Sequence, residues 1–272
     1  MNIMKKLRYN FYSHVHRYVR YEMFELSKNM AKIDFRDKLQ AISAKEQFDK
    51  FKLLMKGHAT HEDTTVHQLF REANSTVFQL AETEHKTHDQ IIEKMADKLN
   101  ETLASDCDHT RHLAGYQFYL LLNKFIAESL NHLNLEEQVL MADLHQLYPD
   151  EKIRAVTFNT YDHMRPEQLL HMLQTIFPHV NDYEREVFIR DIHESYPKKL
   201  KDIWPDVWAL LSDNERQYYQ ESLGLKKPIS AQSVTQRLHY KWQKHDDGSA
   251  LAETYHLDLV EDQDGSNLDK RY

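Results

Sequence analysis

Glycine, proline and cysteine are scarce in this chain: of 272 residues, five are Gly, six are Pro and one, Cys107, is Cys. A lone thiol excludes an intrachain disulfide and any Cys-rich zinc or iron–sulfur site, and it fits a reducing, cytoplasmic compartment. So few glycines leave no Gly-rich phosphate loop, and no nucleophile–base motif takes its place. Long stretches without Gly or Pro argue for helices rather than tightly turned sheets. No run approaches the ~18 apolar residues that cross a bilayer. The N-terminal Met1–Arg8 carries cations without an apolar stretch after them, so no signal peptide is expected. A net charge of −8 with no basic stripe argues against nucleic-acid or anionic-membrane partners.

What the chain does have is histidine, 18 in all. Singly, most fit a solvated surface; a few fall on apolar stripes of helical period. The first helix, expected from about Tyr9 to Lys32, has the stripe Tyr12, His16, Val19, Met23, Leu26, Met30, with His14 off it. The second, about Ser43 to Ala73, reads Phe48, Phe51, Met55, His58, Glu62, Thr65, Leu69. The third, about Val77 to Leu103, reads Phe78, Ala81, His85, His88, Ile92, Met95, Leu99. The fourth, about His109 to Leu147, reads Phe118, Leu122, Phe125, Ser129, His132, Glu136, Val139. The expected fold is all-α: an up-down-up-down four-helix bundle over residues 1–150, with a helical extension over 151–225 and a flexible, largely disordered tail over 226–272. In the extension, helices are expected from Pro166, from a cap at Asn181, between Leu200 and Leu211 with an interruption at Pro205, and from the capping box at Ser212 to Gly224.

His58 with Glu62, and His132 with Glu136, are spaced four apart, so each pair shares one helix face. With His16 and His85 they make six inward polar groups. An unsatisfied buried polar group costs about 1–3 kcal/mol, so six would rival the whole stability of a domain. They must be satisfied by each other, by water or by a metal. Imidazole and carboxylate without thiolate suit iron, manganese or zinc. Di-iron bundles of the ferritin type use Glu-x-x-His; the order here is reversed.

Over about Tyr9 to Leu147 the chain resembles the hemerythrin-like (HHE cation-binding) proteins, four-helix bundles with a non-haem di-iron centre. His16-Arg17-Tyr18-Val19-Arg20 is similar to that family's His-x-x-aliphatic-Arg opening. His58/Glu62, Glu84-His85-Lys86-Thr87-His88-Asp89 and His132/Glu136 are similar to its later motifs. The resemblance implies two iron ions on His16, His58, Glu62, His85, His132 and Glu136, with manganese or zinc less suited. It departs at Asp89, where oxygen-carrying members have a second His; His88, Asp89 or water is left to complete that iron. Glu137 is read as a neighbour of the centre or solvated. His61, about 100° off the stripe, is read as no ligand, and His67, His109, His112 and His145 as surface residues.

The implied function is binding or sensing O₂, nitric oxide, peroxide or iron, with a protein partner engaged through the extension. The alternatives are a di-iron enzyme reducing peroxide or nitric oxide, with Tyr12 or Tyr18 as redox or proton donors if they are not packing residues; an iron donor for iron–sulfur cluster repair; and a metal-free helical adaptor. Phe188, Trp204 and Trp208 either pack on the bundle or form an exposed partner patch.

Overall fold

The structure, a computed structural model, describes residues 8–228. The tail expected over 226–272 lies almost wholly outside the described residues. Those described fold as helices without strands: α1 Ser13–Met30, α2 Lys38–Thr64, α3 Val66–Glu72, α4 Gln79–Ala104, α5 Asp108–Leu135, α6 Met141–Leu147, α7 Asp150–His163, α8 Pro166–Ile176, α9 Asp182–Ser195, α10 Pro197–Leu210 and α11 Asp213–Leu223. A π turn, Glu136–Leu140, joins α5 to α6.

Local chemistry sets the boundaries. The carboxylate of Asp37 accepts from the backbone N–H of Leu39 and Gln40, so α2 starts before the expected Ser43. The second expected helix breaks at Thr65, whose backbone (φ −116°, ψ −83°) is not helical, and α3 follows as a separate piece. The α7 helix opens the extension, in a stretch for which no separate helix bounds were expected. The α10 helix runs through Pro205 rather than stopping there; the lost N–H is offset by burial of Ile203, Trp204 and Val207 on that helix. Ser212 and Glu215 form the expected capping box, and Gly224 ends α11 at φ +66°.

Helix α1 packs on α2 and α5, and α4 packs on the same two, closing a ring of four long helices. Its apolar interior comes in two pieces. One holds Val19, Met23, Phe48, Met55, Met95, Phe118, Leu122 and Phe125. The other holds Tyr12, Val66, Phe70, Phe78, Ala81, Leu140 and Leu144. On α1, α2 and α4 the inward polar residues fall in sequence between the two pieces, and on the fourth helix Glu136 does, with His132 beside Leu133 at the edge of the first. A polar layer thus separates two apolar cores.

The fourth stripe needs one correction. Val139, expected inside, is 44% exposed, while Leu140 is fully buried. The π turn adds one residue to the helical turn, so the inward position passes from 139 to 140.

The extension lies against the outer face of α1. His14 is buried edge-on against Phe188 at 4.5 Å, and Tyr21 stacks on His179 at 3.6 Å. Arg17 pairs with the buried Glu184 at 2.9 Å. Just before α1, the Tyr9 hydroxyl lies 2.8 Å from Thr157 Oγ1 and donates to Asp191 at 3.2 Å. Phe188 and Trp204 are buried and Trp208 half-buried under Arg216, so these aromatics pack within the fold and form no exposed patch.

Gly115 is the close approach on which the α1–α2 connection depends: a Cβ there would lie 2.1 Å from the ring of buried Phe35. Gly115→Ala should therefore cost about 1–3 kcal/mol, read as a lower denaturation midpoint; unchanged stability would show that Phe35 repacks freely.

Candidate metal centre

Each of the six inward residues comes from a different turn of the ring: His16 from α1, His58 and Glu62 from α2, His85 from α4, His132 from the last turn of α5 and Glu136 from the π turn. All are buried, none more than 9% exposed. The structure brings them together in two groups, His16–His58–Glu62–Glu136 and Glu62–His85–His132–Glu136. Within each group one donor atom per residue lies within 4.8 Å of all the others. The groups share both carboxylates and no histidine.

The geometry around three of the four histidines explains how their tautomers are set. His85 Nδ1 is 2.8 Å from Asp63, His132 Nδ1 is 2.8 Å from Glu84, and His16 Nδ1 is 2.9 Å from Glu137, which also accepts from Arg20 at 2.6 Å. A carboxylate on one ring nitrogen holds the proton there and leaves Nε2 with its lone pair turned inward. The inward Nε2 atoms of His85 and His132 then stand 2.9 Å apart. Two nitrogens at about 2.1 Å from one ion and at right angles would be roughly 3.0 Å apart. Inside the layer, His58 Nε2, Glu62 Oε2 and both oxygens of Glu136 are buried without a hydrogen-bond partner. The nearest imidazole nitrogens to Glu136 stand at 3.3–3.6 Å. Unmet acceptors converging with imidazole lone pairs fit a cation better than they fit one another, so the residues present suit a metal pair.

The protonation pattern has the same origin. Burial and the neighbouring charge of Glu62 raise Glu136 above the ordinary carboxylate range. Burial would raise Glu62 too, but the imidazoles of His58, His16 and His85 hold it well below. Burial alone would depress His16 and His85; hydrogen bonds to Glu137 and Glu62 push the first up to about 9, and the hydrogen bond to Asp63 with the charge of Glu62 at 3.5 Å pushes the second up to about 10. His58, whose Nε2 has no partner, is lowered by burial to about 3. Tyr12, one turn before His16, stays protonated through burial and the charges of Glu136 and Glu62.

The remaining histidines divide clearly. His61 is outside both groups: its Nε2 is 2.9 Å from Thr160 Oγ1 of the extension, and its ring stacks on Phe11. His109 and His112 are exposed, as their sequence context suggests. His145 is half-buried and donates to the Tyr9 carbonyl at 2.8 Å, so it is no free surface residue. His67 is a larger correction, being fully buried. The break at Thr65 resets α3, placing its ring between Phe70, Phe78 and His85. With Asp63 and Glu82 it forms a third group of potential donors. There, however, the Arg71 guanidinium already pairs with Glu82 and Asp63 already holds His85, so the group reads as support for the centre.

At the departure noted on α4, Asp89 is exposed and His88 is buried edge-on against His132 at 5.1 Å; neither joins the two groups. Both line a cavity of about 10 Å³ with Met55, His58, Ala59, His85, Ile92 and His132. Helical period marks neither the π turn nor the roles of Asp63 and Glu84. Their only signal was adjacency: Asp63 follows Glu62, and Glu84 precedes His85.

A family model described as the hemerythrin HHE cation binding domain matches residues 8–144. No curated protein and no solved structure matches the chain.

The shifts fix the pH behaviour of the metal-free protein. Raised His16 and His85 stabilise fully below the ordinary 6.5, and that contribution is lost as pH rises from 6.5 through about 9 and 10. Lowered His14, His58 and His88 act oppositely, losing stability as pH falls from 6.5 toward about 3 to 4. Denaturant unfolding in chelator should give greatest stability near pH 6.5. Glu137→Gln, which removes the carboxylate holding the His16 proton, should shorten the alkaline decline. An identical profile in the variant would mean that Glu137 does not set the His16 charge.

Proposed function

The chain belongs to the hemerythrin HHE cation-binding family, and from that premise we propose that it holds two iron ions in a non-haem centre and there binds or senses O₂, nitric oxide, peroxide or the supply of iron itself. The ligands are His16, His58, Glu62, His85, His132 and Glu136. One observation carries the reading: two four-residue groups overlap in both carboxylates and in neither pair of histidines. A carboxylate has two oxygens, so Glu62 and Glu136 would each serve both ions, while His16 with His58, and His85 with His132, would each complete one end.

The charge fits as well. Two divalent ions, the two bridging carboxylates, the carboxylates of Asp63, Glu84 and Glu137 and the Arg20 guanidinium sum formally to zero, with all four imidazoles neutral. Four protein donors per ion leave positions open at an iron, and bound iron would supply those positions to a small oxygen or nitrogen ligand. The cavity beside His58, His85 and His132, about 10 Å³, holds roughly one water. That size suits a diatomic ligand or peroxide and excludes an organic substrate without rearrangement.

Sensing is favoured by how α1 is shared. Its inner face carries His16, and its outer face carries His14, Arg17 and Tyr21 against the extension. A metal bound only by the folded ring stabilises it in proportion to occupancy. Loss of the ion would leave His16 Nε2 no nearer inner partner than Glu62 at 3.2 Å and loosen the element that seats the extension, the face through which a protein partner would read the centre.

Iron reconstituted anaerobically should reach two ions per chain and show the charge-transfer bands of a bridged di-iron centre on oxygen exposure. Less than one ion per chain would reject the reading. A stable O₂ or nitric oxide adduct would mark a binding or sensing protein, and catalytic consumption of peroxide or nitric oxide would mark an enzyme. His58→Ala and His132→Ala should each lose at least one ion, whereas His61→Ala should keep both; equal loss in all three would refute the ligand assignment.

A further inference from the structure

Tyr12 is a buried polar group that the two-metal ligand set leaves unused. It lies on the inward stripe of the first helix, one turn before His16, and is 1% exposed. Its ring centroid is 5.2 Å from that of His16, and the edge of Phe11 packs against it at 5.3 Å. The ring belongs to the apolar core holding Val66, Ala81 and Leu140, which on each helix adjoins the polar layer. Its hydroxyl has no hydrogen-bond partner.

A position that only fills this core would be served better by phenylalanine, because a buried hydroxyl without a partner destabilises a fold. The neighbouring atoms in the same condition are Glu62 Oε2 and both oxygens of Glu136, acceptors already assigned to metal. The Tyr12 hydroxyl is thus a donor left over beside a set of metal-directed acceptors at the α1 side of the layer; the other partnerless buried hydroxyl among the described residues, Ser129 Oγ, belongs to α5. The small cavity has none of its lining residues on α1, so the two features are separate.

We infer that the Tyr12 hydroxyl is a built-in hydrogen-bond donor to a solvent-derived oxygen ligand, water or hydroxide, of the metal pair. This inference rests on the two-metal reading. It gives the centre a polar contact that orients a bound oxygen without adding a ligand. It also makes the hydroxyl a penalty in the empty fold and a stabilising group in the loaded one. A packing tyrosine would contribute equally to both.

Tyr12→Phe tests it by comparing the empty and loaded protein. Without metal, the variant should be at least as stable as the wild type. Its affinity for Fe²⁺, measured anaerobically by competition with a chelator, should fall about tenfold, the scale of one hydrogen bond to a charged group. The charge-transfer bands of the iron-loaded variant should also shift. Unchanged affinity and unchanged bands would overturn the inference, as would a variant destabilised equally with and without metal. A second measurement needs no substitution: in wild-type protein filled with diamagnetic Zn²⁺, the Tyr12 hydroxyl proton should appear as a slowly exchanging, downfield NMR resonance. Its absence from fully loaded protein would count equally against the assignment. Wild-type protein that takes up no metal would overturn the two-metal reading, whereas normal loading with an indifferent Tyr12→Phe would overturn only this inference.

Discussion

Two carboxylates, Glu62 and Glu136, are held side by side in a dry interior, and the rest of the ring is arranged around that repulsion. Bringing two like charges out of water is expensive, and the imidazoles at hand cannot satisfy both, since three of the four oxygens are left without a hydrogen bond. Each nearby imidazole that is tied on its outer nitrogen is tied to another carboxylate, which concentrates still more negative charge at the same level. The arrangement is intelligible as a cage for positive charge and poorly intelligible as a self-sufficient polar layer.

The same constraint explains why the apolar core is divided. A helical ring of this length would bury more area with a continuous interior. Instead, every helix interrupts its apolar run at one level, leaving Val19, Met55 and Phe125 on one side and Tyr12, Val66 and Leu140 on the other. Each half can then be packed independently, and the polar level is positioned by two rigid flanks, the support a precisely spaced ligand set requires.

Much of this could be read from the chain because helical period and burial agree. The stripes through His16 and His85 are buried as read, and that through His58 is too except at half-buried Thr65, since a ring of long helices leaves few other ways to cover them. What escaped the reading were events that break period locally. Thr65 resets the second stripe and takes His67 inward, and the π turn moves the inward position from Val139 to Leu140. The outer carboxylates Asp63 and Glu84 were hard to recognise for another reason, and Glu137 was read only as a neighbour of the centre or solvated. Each sits beside a ligand in sequence but pairs with a histidine on a different helix, a relation that only the assembled ring creates. Gly115 was silent likewise, its partner Phe35 lying in a connection with no periodic signal.

The π turn also ties two parts of the molecule to a single frame. Its defining bond runs from the Met141 N–H to the Glu136 carbonyl, one residue wider than the bonds on either side. Residues up to Glu136 keep one angular phase, and those from Leu140 onward keep another, offset by about 100°. Closing the turn into a regular helix at the same chain length would leave His132 and Glu136 in place, yet it would turn Leu140, Met141 and Leu144 by about 100° away from the core beneath. The centre and its floor are therefore spliced like two screws of the same pitch started at different angles, and at this chain length only the wide turn keeps both seated.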